Sequence, residues 1–179
     1  MLSRLGQVYT QQKQWENAIL VYQNAIELQP DSGENYHYYG DALLNLEKWS
    51  EAVDCYQHSI ELNPDFTGSY WHQAIACSKL GNWGKVWDCY QAIESKQPEF
   101  LQAHRVEVQT YIEIGDYFMN KEDWDSAICH PARYAIAVYR KVHLLQPQAL
   151  EIKQKIAQAL KKRAASDWAE AEKILSEKG

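Results

Sequence analysis

Apolar residues recur with helical spacing along most of the 179-residue chain. Over residues 36–44 the apolar or small side chains are three and four positions apart, which places them on one face of an α-helix. A second stripe of this kind begins at Trp49 and stops before Pro64, because proline has no N–H and drives the residue before it out of the helical region. No segment alternates strictly between apolar and polar residues as a half-buried strand would. The pattern predicts pairs of helices and no sheet.

The helix pairs repeat with a period of 34 residues. Small residues recur where the two helices of a pair would cross, at Gly6 and Gly40 and again at Ala18 and Ala52. A period of this length indicates a stack of units, each of which buries its apolar face against the next. Three sets of residues carry the period: Trp15, Trp49 and Trp83; Tyr22, Tyr56 and Tyr90; and Pro30, Pro64 and Pro98.

A 34-residue helix-turn-helix with Gly, aromatic, Ala, aromatic and Pro at these spacings resembles the tetratricopeptide repeat. The first two units match the family pattern well, and the third departs from it at Gln73 and Ile93, where the family has an apolar residue and Ala. The resemblance implies an all-α fold, a right-handed α-α superhelix (solenoid) of about four helix-turn-helix repeats, the fourth lengthened, with C-terminal capping helices. We place the repeats at residues 1–32, 33–66, 67–100 and 101–147, and the capping helix with a short tail helix at 148–179.

The fourth unit is longer at both of its helices. Gly115 follows Gly40 by seven residues more than two periods, and seven residues are about two helical turns. Its first helix can therefore begin near Phe100 without changing its buried face. The segment of its second helix has eight extra residues and contains Pro131. Two alternatives remain: an extra turn over about 123–129 before a helix that begins at Pro131, or one long helix that kinks there; we expect a kinked or broken element.

Composition and charge exclude several classes of protein. Hydrophobic residues make up 46% of the chain and aromatic residues 12%, which excludes general disorder. The net charge of −6 makes the chain a poor general binder of nucleic acid. No apolar run approaches the ~20 residues of a membrane span, and the N-terminus lacks the apolar stretch of a signal peptide. The four cysteines form no CxxC motif and are expected to be reduced and mostly buried, which favours a cytoplasmic location.

The sequence contains none of the common catalytic motifs. HExxH, a Gly-rich phosphate loop and GxSxG are all missing. The six histidines show no metal-ligand spacing to acids or cysteines. We therefore predict a protein that is not an enzyme and has no cofactor and no metal.

The resemblance also implies a binding surface. In this family the first helices of successive units line a concave groove that binds peptides or partner helices. Trp71 is the most prominent groove candidate, because it is next to the core position Tyr70 and should point away from the core. Packing of Trp71 against a neighbouring unit is a nearly equal alternative. The predicted groove residues are Gln7, Gln11, His37, Asp41, Asn45, Trp71, Ile75, Lys79 and Asp116.

Some family members clamp the C-terminal carboxylate of chaperones with Lys, Asn and Arg. This chain has Ser3, Gln7, Glu34 and Tyr38 in the corresponding region, so we reject that function.

The charge is unevenly distributed along the chain. Residues 1–100 carry a net charge of −7 and residues 101–179 a net charge of +1. The basic cluster of the capping helix is either the solvated face of that helix or a docking patch for an acidic partner. Its members are Lys153, Lys155, Lys161, Lys162 and Arg163.

These observations favour a non-catalytic scaffold or adaptor that binds a partner segment in its concave groove, alone or as the repeat part of a larger protein. The alternative is a soluble assembly chaperone for a multi-subunit complex. The expected partner is another protein or a peptide segment, with no nucleic acid and no membrane span, and self-association through the terminal faces stays open.

Overall fold

The computed structural model describes residues 2–104, 106, 108–120, 131–146 and 148–176. Every regular element in these ranges is an α-helix, which confirms the predicted all-α class. The chain divides into two compact units, Met1–Arg105 (unit 1) and Val106–Gly179 (unit 2). Within the described ranges, no helix has both the length and the apolar character needed to cross a membrane.

Unit 1 consists of three consecutive helix pairs and a short seventh helix. Each helix packs against the next one in the chain. The first helices of the three pairs also contact one another in sequence, so they form one layer, which we call the inner layer. The helices are α1 (Leu2–Gln11), α2 (Trp15–Leu28), α3 (Gly33–Asn45), α4 (Trp49–Leu62), α5 (Thr67–Lys79), α6 (Trp83–Lys96) and α7 (Pro98–Ala103).

The second helix of each pair ends two residues before a proline, and the residue between them is no longer helical. Gln29, Asn63 and Gln97 have φ of −140°, −139° and −151°, so each has left the helical region. Steric contact with the proline ring enforces this conformation. The three prolines thus fix the ends of α2, α4 and α6, as the sequence predicts.

The turn inside each pair also recurs at one position per repeat. Lys13, Glu47 and Gly81 have φ of 57°, 59° and 70°, the left-handed conformation that commonly ends a helix. In the second repeat the N–H of Lys48 donates to the carbonyl of Leu43 at 3.0 Å, which satisfies a carbonyl at the end of α3.

In the first two pairs of unit 1 the helices cross at a glycine that faces a tyrosine ring. A Cβ on Gly6 would lie 2.5 Å from the ring of Tyr22, and one on Gly40 would lie 2.7 Å from that of Tyr56. Both tyrosines are fully buried. Because real Cβ contacts are never this short, the missing side chain is what lets the helices approach.

Asp41 holds the ring of Tyr56 in place. The Tyr56 hydroxyl donates to Asp41 Oδ1 at 2.7 Å, and Asp41 directly follows the crossing glycine. The third repeat has Ala74 at the crossing and Ile75 after it, and Ile75 offers no side-chain acceptor.

Unit 2 consists of α8 (Val108–Asn120), α9 (Pro131–Leu145) and α10 (Leu150–Ser176), with α9 packed against both of the others. Gly115 faces the ring of Tyr139 in the same way as the crossing glycines of unit 1. Pro131 is the first described residue of α9. The segment 123–129 lies outside the described residues, so the choice between an extra turn and a kink stays a prediction.

The structure differs from expectation at the start of the fourth repeat. We expected one helix from about Phe100, but α7 ends at Ala103 and α8 begins at Val108. The start of α7 follows the 34-residue period, with Phe100 one period after Phe66, and α7 packs against α6 as α5 packs against α4. The inserted residues therefore separate two helices and do not extend one.

The C-terminal segment differs as well. We expected a capping helix over 148–163 followed by a separate tail helix, and the structure has the single helix α10. No glycine or proline occurs between Leu150 and Ser176, so nothing in the sequence breaks the backbone hydrogen bonding there.

We expect Gly40→Ala to lower the free energy of unfolding by about 1–3 kcal/mol, because the new methyl group meets a buried ring that Asp41 holds. Urea denaturation followed by circular dichroism measures the change. The matched control is Gly68→Ala, whose Cβ would meet the partly exposed Phe66 ring at 3.1 Å and should change stability little. Equal stability of wild type and Gly40→Ala would contradict the crossing contact.

The described cysteines should be unreactive in the folded protein. Cys55, Cys77 and Cys89 are free and buried, and burial raises the thiol pKa of Cys55 and Cys89 to about 12. At pH 8 these thiols stay protonated, and the thiolate is the reactive form. Cys129 lies outside the described residues, so it is replaced by serine. We expect Ellman's reagent to react at least ~100-fold more slowly with the native variant than with the guanidinium-unfolded one; one fast thiol in the native protein would contradict this.

Candidate functional site

The predicted groove residues of unit 1 lie in rows along the inner layer, one residue per repeat. One row is exposed and consists of Gln11, Asn45 and Lys79, 34 residues apart. Gln7, Asp41 and Ile75 form a parallel row and are partly exposed. His37 and Trp71 belong to a third row, in which His37 is buried and Trp71 is partly buried.

The third row packs against the next repeat. Ser3 Oγ donates to Asn35 Oδ1 at 2.7 Å, and the equivalent contact one repeat later joins His37 Nδ1 and Ser69 Oγ at 3.0 Å. The His37 ring also lies edge-on to Phe66, with centroids 4.7 Å apart. The residues of this row therefore join successive repeats.

Trp71 has the same kind of surroundings as His37, one period later. Its ring stacks on Tyr90 with centroids 6.0 Å apart and contacts Phe100 at 6.1 Å and His104 at 5.0 Å. These contacts correspond to the packing alternative for Trp71. Its contact with a partner stays a prediction.

Asp41 is the centre of a polar cluster between α3, α4 and α5. Its Oδ1 accepts from the Tyr56 hydroxyl at 2.7 Å and lies 2.7 Å from His72 Nδ1. Its Oδ2 lies 3.5 Å from His37 Nε2, one helical turn earlier. The rings of His37 and His72 are parallel within 10°, with centroids 5.2 Å apart. One carboxylate thus faces two imidazoles on neighbouring repeats.

The surroundings of this cluster shift its protonation. Burial lowers the pKa of His37 to about 4, although the charge of Asp41 opposes the shift. Burial also disfavours ionisation of Asp41, but His72, His37 and Tyr56 together hold the pKa of that carboxyl below its ordinary value. At pH 7 the cluster contains an ionised carboxylate beside a neutral His37.

The prediction that no histidine has metal-ligand spacing to an acid is wrong at this cluster. One ligand atom each from His37, Asp41 and His72 lies within 4.8 Å of the other two. His37 and Asp41 share a helix face at the i,i+4 spacing, and His72 follows His37 by one period plus one residue. That combination of helical spacing and repeat period is the signal that could have found the cluster.

The predicted site residues of unit 2 are engaged with one another. Lys155 Nζ lies 2.7 Å from both carboxylate oxygens of Asp116, whose Oδ1 also accepts from the Tyr139 hydroxyl. Lys162 Nζ donates to the carbonyl of Met119 at 2.8 Å, near the end of α8. The other members of the basic cluster are Lys153 and Lys161, which are exposed, and Arg163, which is partly buried.

A pocket of about 230 Å³ adjoins Gln73, the residue that departs from the repeat pattern. Gln73 is buried, and its Nε2 donates to the carbonyl of Val53 and to Gln57 Oε1, both at 3.2 Å. Its Oε1 accepts from Cys89 Sγ at 3.3 Å. Gln73 therefore occupies an apolar position of the repeat with its amide hydrogen-bonded. The pocket is lined by Gln57, Ile60, Tyr70, Gln73, Lys85, Asp88 and Cys89.

Two family models match the N-terminal part of the chain, a TPR repeat at residues 6–46 and a tetratricopeptide repeat at residues 33–66. A comparison with curated proteins finds no match.

Several solved structures are similar to the chain. The TPR2AB-domain:pHSP90-complex of yeast Sti1 is 25% identical, over 63% of this chain and 45% of that one, with a TM-score of 0.56. The TPR2B-domain:pHsp70-complex of yeast Sti1 is 24% identical, over 64% and 94%, with a TM-score of 0.57. MamA 41-end from Desulfovibrio magneticus RS-1 is 16% identical, over 98% and 92%, with a TM-score of 0.56. The last two similarities show the fold alone.

We expect Trp71→Ala to lower the free energy of unfolding by about 2 kcal/mol, because it removes a partly buried ring that packs on three aromatic neighbours. Urea denaturation measures the change. The matched variant Trp71→Phe keeps an aromatic ring and should recover more than half of the loss. Unchanged stability of Trp71→Ala would mean that these ring contacts contribute nothing to the stack.

Proposed function

The chain is a tetratricopeptide-repeat protein, and from this premise we propose that it is a non-catalytic scaffold that binds a segment of another protein. We assign the binding to the inner layer of unit 1, formed by α1, α3 and α5. The observation that carries the proposal is the exposed row of Gln11, Asn45 and Lys79 on this layer. A row with one side chain per repeat suits an extended segment that runs across the repeats.

The exposed row and the row beside it supply hydrogen-bonding groups. Gln7 and Gln11 each carry an amide that can both donate and accept, and Lys79 carries a cation. Ile75 adds an apolar contact in the third repeat. The Asn45 amide donates to the carbonyl of Asp41 at 2.8 Å, which orients it while leaving its oxygen available to a partner. This mixture fits the backbone of an extended peptide with an apolar side chain near Ile75.

The charge of unit 1 narrows the class of partner. With a net charge of −7 over residues 1–100, it attracts a neutral or basic segment and repels an acidic one. The TPR2AB domain of yeast Sti1 was solved in complex with pHSP90. We do not carry that partner over to this chain, because Ser3 donates to Asn35 and Glu34 is an exposed acid in the corresponding region. The assembly-chaperone alternative, the lack of catalysis and the cytoplasmic location stay predictions.

Site-specific photo-crosslinking tests the proposal. We expect a photoreactive phenylalanine at Asn45 or Lys79 to crosslink a protein from native lysate, because these side chains lie on the open row of the inner layer. The products are separated on a denaturing gel and identified by mass spectrometry. Excess unlabelled protein should reduce the crosslinked product several-fold if the binding is specific.

Matched controls carry the same photoreactive residue at Asn24 on α2 and Asp54 on α4, which are exposed on the second helices of their pairs. A product that forms equally from these positions, or that does not compete, would overturn the assignment to the inner layer.

A further inference from the structure

The cluster of His37, Asp41 and His72 offers a donor set of two imidazoles and one carboxylate. Imidazole nitrogen suits zinc and its neighbours in the first transition row, whereas magnesium and calcium take oxygen ligands almost exclusively. We propose that these three residues bind a divalent first-row transition ion, with Zn²⁺ as the representative ion. The proposal does not depend on the proposed function.

The distances within the cluster fit a shared ion. His37 Nε2 and Asp41 Oδ2 are 3.5 Å apart, longer than the 2.7–3.2 Å of an ordinary hydrogen bond. Two ligands at about 2.0–2.1 Å from a tetrahedral zinc ion are roughly 3.3 Å apart. Small movements of the side chains would therefore complete coordination by this pair.

His72 supplies a third donor from the next repeat. Its Nδ1 lies 2.7 Å from Asp41 Oδ1, so the imidazole nitrogen and the carboxylate are already adjacent. As a ligand, this nitrogen would connect the third repeat through the ion to the second repeat, which supplies His37 and Asp41.

The groups around the cluster resemble the supports of established metal sites. His37 Nδ1 is at hydrogen-bond distance from Ser69 Oγ, and Ser69 Oγ is 2.8 Å from Ser59 Oγ. The Tyr56 hydroxyl donates to Asp41. Such partners fix the ring orientation and the basicity of ligands. His37 and Asp41 are therefore each oriented by a second hydrogen-bonding partner, Ser69 and Tyr56 respectively.

The cluster is also open on one side. The side chains of His72 and Asp41 are 32% and 18% exposed, whereas that of His37 is 6% exposed. Three protein ligands leave one position of a tetrahedral ion for water. The ion thus has an entry path from the inner layer, and His37 forms the floor of the site.

Calorimetric titration of the full chain with Zn²⁺ at pH 7 tests the proposal, using untagged protein dialysed against a chelator. We expect one ion per chain. His72→Gln should weaken binding by at least ~100-fold, because it removes one of three ligands. Ser69→Ala should weaken it by roughly 10–100-fold, because it removes the support of His37. The matched control His58→Gln removes an exposed histidine on α4 outside the cluster and should leave the affinity unchanged.

No binding by the wild type, or equal binding by wild type and His72→Gln, would overturn the proposal. If His72→Gln loses its helical circular dichroism, its weaker binding could reflect unfolding. In that case, imidazole ¹⁵N spectra of the wild type test whether His37 and His72 bind the ion. One equivalent of Zn²⁺ must shift the resonances of His37 and His72 and leave those of His58 and His104 in place. A shift of the second pair alone, or of none, overturns the site.

Discussion

The contact on which the rest of the structure depends is that of a bare glycine backbone with a tyrosine ring, which occurs in the first two helix pairs of unit 1 and between α8 and α9 of unit 2, whereas the third pair has Ala74 at this position. Without a Cβ at Gly40, the ring of Tyr56 lies directly on the first helix, and the two helices cross closely. The same contact recurs at Gly6 in unit 1 and at Gly115 in unit 2. It fixes the geometry of a pair, and repetition of that geometry every 34 residues produces the stack.

The same contact places chemistry on the inner layer. In the second repeat the hydroxyl of the buried tyrosine reaches Asp41, directly after the glycine, and orients this carboxylate toward the next repeat. His72 of that repeat then meets it at 2.7 Å. Unit 2 repeats the device with Tyr139 and Asp116, but there the carboxylate meets Lys155. The same glycine–tyrosine contact thus places a carboxylate beside a lysine in unit 2 and between two imidazoles in unit 1.

Features with a local cause could be predicted from the sequence. The helix ends before Pro30, Pro64 and Pro98 follow from the covalent geometry of proline, and the helical stripes follow from the 3.6-residue period. The break before α8 could not, because it depends on whether a helix packs better as one piece or two. The continuity of α10 had a local sign, the absence of glycine and proline between Leu150 and Ser176, which the expected tail helix did not take into account. The cluster around Asp41 was missed because its signal combines two spacings, the i,i+4 pair of His37 and Asp41 within one helix and the repeat period that brings His72 beside them, and neither spacing alone is a metal-ligand motif.

On the inner layer, the residues that stabilise the stack and the residues that are open to solvent lie in different rows. The row of His37 and Trp71 is covered by the following repeat or by α7, so it stabilises the stack. The other row consists of Gln11, Asn45 and Lys79. Neither the following repeat nor α7 buries these side chains, so they are exposed to solvent. Between them lies Asp41, which is partly exposed and bonded to the core through Tyr56. Anything that binds Asp41 from solvent therefore acts on a residue that also holds the second repeat together, so that binding on the inner layer and stability of the stack are coupled at this carboxylate.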